Sequence, residues 1–136
     1  MIQRFGISLE NDLLHAFDKR IQKKGYKNRS EAIRDLIRDS LIEEEFTDGN
    51  KQTNAIVMIV YDHHQYNLAQ KMTGIQHEHH DTIIASLHSH LDKHNCLEVI
   101  LLKGKAGELQ HIADSIISTN GVKYGKFIPA TAGDVL

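Results

Sequence analysis

The chain has 136 residues, 40% of them apolar and 25% charged, with one proline, one cysteine and a formal charge of −2. No apolar run approaches the roughly 18 residues that a membrane-crossing helix needs. One cysteine cannot close an intrachain disulfide, which excludes a disulfide scaffold and fits a reducing compartment. Met1-Ile2-Gln3-Arg4-Phe5 lacks the basic stretch and apolar core of a secretory signal. The expectation is a soluble, cytoplasmic protein of one domain or two small ones, with no membrane partner.

Charge is unevenly spread, with +3 on residues 1–40 and −5 on residues 41–136. A surplus of that size is common on solvated helix faces, so it bears on nucleic acid only through where the charges sit. Residues 3–9 alternate, Phe5, Ile7 and Leu9 against Arg4, Gly6 and Ser8, which is the period of a half-buried strand. Residues 10–24 then set Leu13, Leu14, Phe17 and Ile21 at helical spacing, with acidic side chains at the start and basic ones at the end, as the helix dipole favours. Gly25 stops that helix, and Asn28-Arg29-Ser30-Glu31 reads as a capping box. A second helix follows, with Ala32, Ile33, Leu36, Ile37 and Leu41 inward.

A single strand has no ladder partner, and about 45 residues cannot enclose an adequate core. A twofold dimer with the two N-terminal strands paired antiparallel answers both problems. Such a ribbon fits a DNA major groove, outward side chains on base edges, while the helix start at Asn28, Arg29 and Ser30 offers amides to a phosphate. This segment resembles the ribbon-helix-helix family, and Gly25-Tyr26-x-Asn28-Arg29-Ser30-Glu31-Ala32-Ile33-Arg34 is close to that family's usual entry to its second helix. The resemblance implies double-stranded operator DNA as partner and puts Arg4, Gly6 and Ser8 at base-reading positions. Gly6 has no side chain where relatives usually carry a hydrogen-bonding one, so direct readout falls mainly to Arg4 and Ser8.

After the acidic run Glu43-Glu44-Glu45, residues 47–53 are rich in turn formers and are expected to link a domain over 1–46 to one over 54–136. The second domain reads as a strand over 55–61, a helix over 64–79, a hairpin of strands 82–91 and 96–103, a helix over 107–119 and a strand over 122–128. That order, βαββαβ, is the ferredoxin-like arrangement, and it makes the chain α+β.

Within that domain lies H-x10-H-x-H-x5-C, formed by His77, His88, His90 and Cys96. His88 and His90 are two apart in a strand and so share a face, about 7 Å apart. On that register Ile83, Ala85, Leu87 and Leu91 are expected to pack inward on the other face. A hairpin symmetric about Lys93 sets His90 opposite Cys96 and His88 opposite Glu98, with paired Cβ atoms about 5 Å apart. That span suits ligands reaching one ion at about 2.0 Å (N) and about 2.3 Å (S). The fourth donor must come from elsewhere. His77 is the candidate, with His79 and His80 competing.

Taken singly, strand histidines are often polar-face residues and a lone cysteine a small buried hydrophobe. The conjunction is what points to a metal. Ligand type leaves zinc, copper and nickel open, with zinc ranked first. Glu98 shares the ligand face and either orients a ligand imidazole or is simply polar there. His63 and His64, with His79, could add weaker metal sites, but the surface is their default, as for His15, His94 and His111. Four protein ligands leave no open coordination position, and no nucleophile–base motif occurs elsewhere, so neither an enzyme nor a small-molecule substrate is expected.

The whole chain resembles the nickel-responsive regulator family (NikR), whose ligand pattern falls on His77, His88, His90 and Cys96 without a gap and continues through Cys96-Leu97-Glu98. The resemblance implies a ferredoxin-like (ACT-type) metal domain, one square-planar Ni(2+) per subunit, and the first histidine supplied by a neighbouring subunit. It implies a homotetramer, a dimer of dimers with the metal domains at its core, in which nickel turns on repression of nickel-uptake genes. It also implies a second cation between the two domains at Glu31 and Asp35, residues that otherwise cap a helix and face solvent. The competing readings are a ribbon-helix-helix regulator responding to zinc or copper and a metal-storage or delivery protein. The latter leaves the first domain idle, and an antitoxin-type repressor leaves the metal motif idle.

Overall fold

The computed structural model describes residues 1–65 and 67–134. They fall into two compact units, Met1–Asp39 and Ser40–Leu136. The first holds α1 (Asn11–Lys23) and the start of α2 (Arg29–Thr47). Gly25, at φ +81°, ends α1: its N–H donates to Gln22 O at 3.1 Å and that of Tyr26 to Ile21 O at 3.0 Å. This paired closure satisfies the last carbonyls of the helix, and glycine reaches that φ without a Cβ penalty. The expected cap on α2 is present, the Glu31 N–H donating to Asn28 Oδ1 at 2.9 Å.

Only Ile21 and Ala32 are buried in this unit, while Phe5, Ile7, Leu13, Leu36 and Ile37 are exposed. The strand expected over 3–9 is not formed, and residues 1–10 carry no regular structure. The reason is physical: a strand exists only through its ladder, and one chain offers these residues no partner.

In the second unit, β1 (Gln52–Asp62), α3 (Leu68–Glu78), β2 (Ile83–His90), β3 (Asn95–Lys105), α4 (Ala106–Ile117) and β4 (Val122–Pro129) follow in the βαββαβ order. The sheet runs β2-β3-β1-β4, antiparallel throughout, as a ferredoxin-like domain requires. β1 alternates strictly, burying Ala55, Val57, Ile59 and Tyr61; β3 does the same with Cys96, Glu98, Ile100 and Leu102. Leu68 and Met72 of α3 and Leu109, Ile112 and Ile116 of α4 join these apolar side chains in one core.

Three expectations need correction. The boundary at residue 46 falls inside α2, whose last turns belong to the second unit: Glu45 is buried and accepts hydrogen bonds from Thr53 and Thr131, and Phe46 packs edge-on against Phe127 at 5.7 Å. The expected linker over 47–53 is an ordered turn followed by the start of β1. Asp48 accepts from the N–H groups of Asn50 and Lys51, and α4 is tied to it by Gly107 N–H to Gly49 O (3.0 Å) and Ala106 N–H to Lys51 O (2.9 Å). Third, Ala85, Leu87 and Leu91 do not pack inward; all three are exposed, Leu87 at 68% and Leu91 at 54%. β2 is an edge strand whose residues beyond Ile83 are all exposed, His88 and His90 included, and a bulge between Ile83 and Ala85 shifts its register.

Gly125 of β4 lies under α4, and a Cβ there would come within 2.8 Å of the Ile117 side chain. Gly125→Val is therefore expected to lower unfolding stability by about 1–3 kcal/mol, the range for overpacking a filled core. A denaturant midpoint unchanged from the parent would show that α4 rides looser on the sheet than this contact implies.

Candidate metal centre

Strand register builds the centre. Cys96 pairs with Tyr61 on one side and His90 on the other, and one row along the strands Glu98 pairs with Ile59 and His88. The hairpin pairing read from symmetry about Lys93, His90 with Cys96 and His88 with Glu98, is the one observed. His90 Nδ1 lies 3.6 Å from Cys96 Sγ. The thiol has no exposed surface, and burial followed by the charges of Glu98, Asp62 and Asp92 pushes its pKa up. Without a cation nearby it is held as the thiol, and a bound cation would reverse that balance by stabilising thiolate.

Beneath this row sits a fully satisfied carboxylate. Glu98 is 5% exposed and accepts from Tyr61 Oη (3.0 Å), Ser86 Oγ (3.0 Å) and Gln76 Nε2 (2.7 Å). Burial and the adjacent Glu98 raise the Tyr61 pKa, so the phenol keeps its proton and donates it to the carboxylate. Tyr61 Oη also lies 3.3 Å from His88 Nδ1. With the phenol proton committed to Glu98, that contact requires Nδ1 to carry the imidazole proton. The lone pair of His88 is thereby left on Nε2, as a metal ligand needs. The donor set present, a buried thiol and two imidazoles with one tautomer set by its neighbours, fits a soft or borderline divalent ion.

His77 stands apart. It is exposed on α3 and lines an open groove along edge strand β2 with Thr73, Gln76, His80, Ile83 and Ser86. Of its competitors, His80 is engaged with Asp81 at 3.1 Å and with the His77 carbonyl at 3.3 Å, and His79 is half-buried at the end of the helix.

His63 is the residue that sequence reading underrated. Its Nδ1 lies 3.1 Å from Cys96 Sγ, and the donor atoms of His63, His90 and Cys96 all fall within 4.8 Å of one another. Burial, then the neighbouring His64 and His90, lowers the His63 pKa and favours the neutral ring. The only sequence signal was its place two residues past Tyr61, informative once β1 and β3 are known to pair Tyr61 with Cys96.

In the first unit Arg4, Gly6, Ser8, Asn28, Arg29 and Ser30 are all exposed. Arg29 is committed to Asp18 through two hydrogen bonds of 2.8 Å. The Arg29 pair holds the Asp18 carboxyl below the usual range. Glu31 is exposed in the first turn of α2, and Asp35 accepts from Tyr26 Oη (2.8 Å) and Arg38 (3.0 Å).

Residues 54–129 match the family model described as the NikR C terminal nickel binding domain, and residues 3–44 match the ribbon-helix-helix protein, copG family. Similar curated proteins carry the name "Putative nickel-responsive regulator". The one from Anaeromyxobacter sp. (strain K) is 53% identical over 135 residues, covering 98% of this chain and 97% of the relative. That from Geotalea uraniireducens (strain Rf4) is 54% identical over 133 residues, covering 98% and 96%. That from Geobacter sulfurreducens is 52% identical over 133 residues, with the same coverage.

The hydrogen bond from Tyr26 is the largest cause of the lowered Asp35 pKa, followed by that from Arg38. A carboxyl depressed on folding contributes stability that is complete above its unfolded pKa and is lost as pH falls through the folded value. Tyr26→Phe should move the Asp35 titration, followed by carboxyl NMR shifts, up toward the ordinary aspartate range and remove that contribution. An Asp35 curve identical in both proteins would mean the phenol does not hold the carboxylate.

Proposed function

The chain belongs to the nickel-responsive regulator family, and we propose that it represses nickel-uptake genes by binding operator DNA when Ni(2+) is held by His77, His88, His90 and Cys96. The observation that carries this reading is the Tyr61–Glu98–His88 network beside the Cys96–His90 pair. It orients His88 one row along from a buried thiol and the His90 ring, and His77 lies on an exposed helix along an edge strand, which supports a fourth ligand from outside the hairpin. Bound nickel would supply charge and a planar preference. The chain supplies the thiolate, the neutral imidazoles and their orientation.

A fourth ligand from a neighbouring subunit agrees with the surfaces left uncovered. The back of the sheet presents Leu87, Tyr124 and Ile128 exposed, with Met58, Leu97 and Val99 half-buried between them. We assign that face to assembly of a tetramer, a dimer of dimers. In the first unit Phe5, Ile7, Leu9, Leu13 and Leu36 line an apolar groove. Pairing of residues 3–9 across a twofold axis would cover it and turn Arg4, Gly6 and Ser8 outward to base edges. Because Asp18 already holds Arg29, the phosphate contact falls to the amides at Asn28–Ser30. A second cation at Glu31 and Asp35 would have to displace Tyr26 or Arg38.

The role is regulatory and not catalytic, and the compartment that keeps Cys96 reduced is the cytoplasm. Among the described residues no helix is long and apolar enough to cross a membrane. Nickel favours the DNA-binding arrangement only by binding it more tightly than the alternative, and the proposed inter-subunit ligand is what would create that difference.

Operator binding by apo, nickel-loaded and zinc-loaded protein at fixed salt tests the switch; equal DNA affinity in the three states would sink it. Cys96→Ala should lose more nickel affinity than the about 10–100-fold typical of removing an outer hydrogen-bonding partner. A folded Cys96→Ala protein that keeps tight planar nickel would show the ligand set to be wrong. Arg4→Ala should weaken specific binding by about 1–3 kcal/mol and non-specific binding much less, measured on operator and random duplexes. A uniform loss would make Arg4 a phosphate contact.

A further inference from the structure

We propose that Thr82 and Glu108 are positioning residues that fix the end of α3 to the turn after α2, so that a ligand held at His77 is felt where α2 ends. What the pair transmits rests on the nickel-switch reading above; the contacts themselves do not. Thr82 is 5% exposed and sits between α3 and β2. Its N–H and that of Ile83 both donate to the His79 carbonyl, at 2.9 and 2.8 Å, so it is fastened directly to the last turn of α3. Its hydroxyl donates to Glu108 Oε1 at 2.9 Å, across 26 residues of sequence. A buried hydroxyl is costly without a partner, and Glu108 is the acceptor this one finds.

Glu108 lies in the first turn of α4, and that turn is the one docked on the chain leaving α2. The Gly107 N–H donates to Gly49 O (3.0 Å) and the Ala106 N–H to Lys51 O (2.9 Å). A Cβ at Gly107 would lie 3.3 Å from Gly49 O and 3.4 Å from Gly49 Cα, so the two backbones meet with no side chain between them. Leu109, Ile112 and Ile116 seat α4 in the core, which makes it a rigid bar and not a joint. From the His79 carbonyl to Gly49, every step is thus a hydrogen bond of 2.8 to 3.0 Å or the start of this bar. The buried residues of α3, Leu68 and Met72, lie toward its start, so its His77 end is the weakly anchored one on which a ligand acts. At the far end of the path, α2 runs as one helix from Thr47 back to Arg29, beside the amides assigned to phosphate. An acid in the first turn of α4 also suits the helix dipole, and the test separates that role from the contact with Thr82.

Two measurements on full-length protein test the pair: hydrogen exchange of peptides covering residues 47–52, read by mass spectrometry, and operator binding with and without nickel. Thr82→Val removes the hydroxyl and keeps the shape. It should speed exchange in those peptides and leave nickel affinity without DNA unchanged. It should also cut the nickel-over-apo ratio of operator affinities by about 2–30-fold, the range for residues that carry coupling without touching either ligand. Thr82→Ser and Glu108→Gln each preserve a donor and an acceptor and should behave as the parent. If Glu108 acts only through its charge at the helix start, the glutamine variant fails instead, and the proposal with it. Glu108→Met should match Thr82→Val, and the double variant should be no worse than either, because all three delete one bond. Unchanged exchange in Thr82→Val overturns the contact, whether or not the protein responds to nickel. An unchanged affinity ratio beside altered exchange, or additive losses in the double variant, overturns the coupling role. A parent that binds operator equally with and without nickel overturns the switch and the coupling with it, and the exchange result still decides the contact.

Discussion

The pairing of β1 with β3 is the constraint on which the second unit depends. With Tyr61 opposite Cys96 and Ile59 opposite Glu98, every second residue of both strands enters the core, and β2 then adds His90 and His88 to the same two rows. Side chains alternate with period two, so a slip of β3 by one residue would carry Cys96 and Glu98 to the uncovered face and away from Tyr61. The apolar alternation Ala55, Val57, Ile59 against Ile100 and Leu102 forbids that slip, because it would expose the whole core. Hydrophobic register fixes the positions of the proposed ligands on β2 and β3, which need no stabilisation of their own to be where they are.

Glu98 does the second part of the positioning. A carboxylate 5% exposed would be costly if unpaired, yet it accepts three hydrogen bonds, from β1 (Tyr61), β2 (Ser86) and α3 (Gln76). The same bonds tie together the elements that carry the proposed ligands. Tyr61 sets the proton on His88, and Gln76 attaches to Glu98 the stretch of α3 immediately before His77. His88 and the helix of His77 are thereby held through a neighbour instead of directly. A buried hydrogen-bond network of this kind is rigid while satisfied, and losing one member leaves the others short of a partner.

Local chain geometry made the hairpin legible in sequence. His88 and His90 share a face because they are two apart, and the turn about Lys93 fixed their partners across it. Asp92, which accepts from the N–H groups of His94 and Asn95 and from the Asn95 side chain, closes that turn, and those bonds lower its pKa to about 2. What could not be read depends on partners distant in sequence or on other chains. Residues 3–9 have strand periodicity but no ladder in one chain. Leu87 and Leu91 read as core because they are apolar and opposite the histidines, but β2 is an edge strand whose residues beyond Ile83 are exposed on both faces. Helical periodicity extends α2 to the end of the first domain and carries no information about which core the helix's last turn enters. His63 reaches Cys96 only through a contact 33 residues long in sequence.

These surroundings give Cys96 and His90 two imidazole neighbours, and the two differ in what they are anchored to. His63 is fastened by backbone hydrogen bonds between the end of β1 and the hairpin tip, whereas His88 is fastened through Tyr61 to Glu98 and thence to α3. On the proposed nickel reading, an ion held by His88 engages the network that reaches the helix of His77. Affinity by itself would not separate divalent ions, since the thiolate and imidazoles bind several of them well. On the proposed reading, coupling a planar coordination geometry through Glu98 and Gln76 to the helix of His77 turns a difference in ligand angles into a difference in structure, which is the quantity a metal-responsive regulator needs.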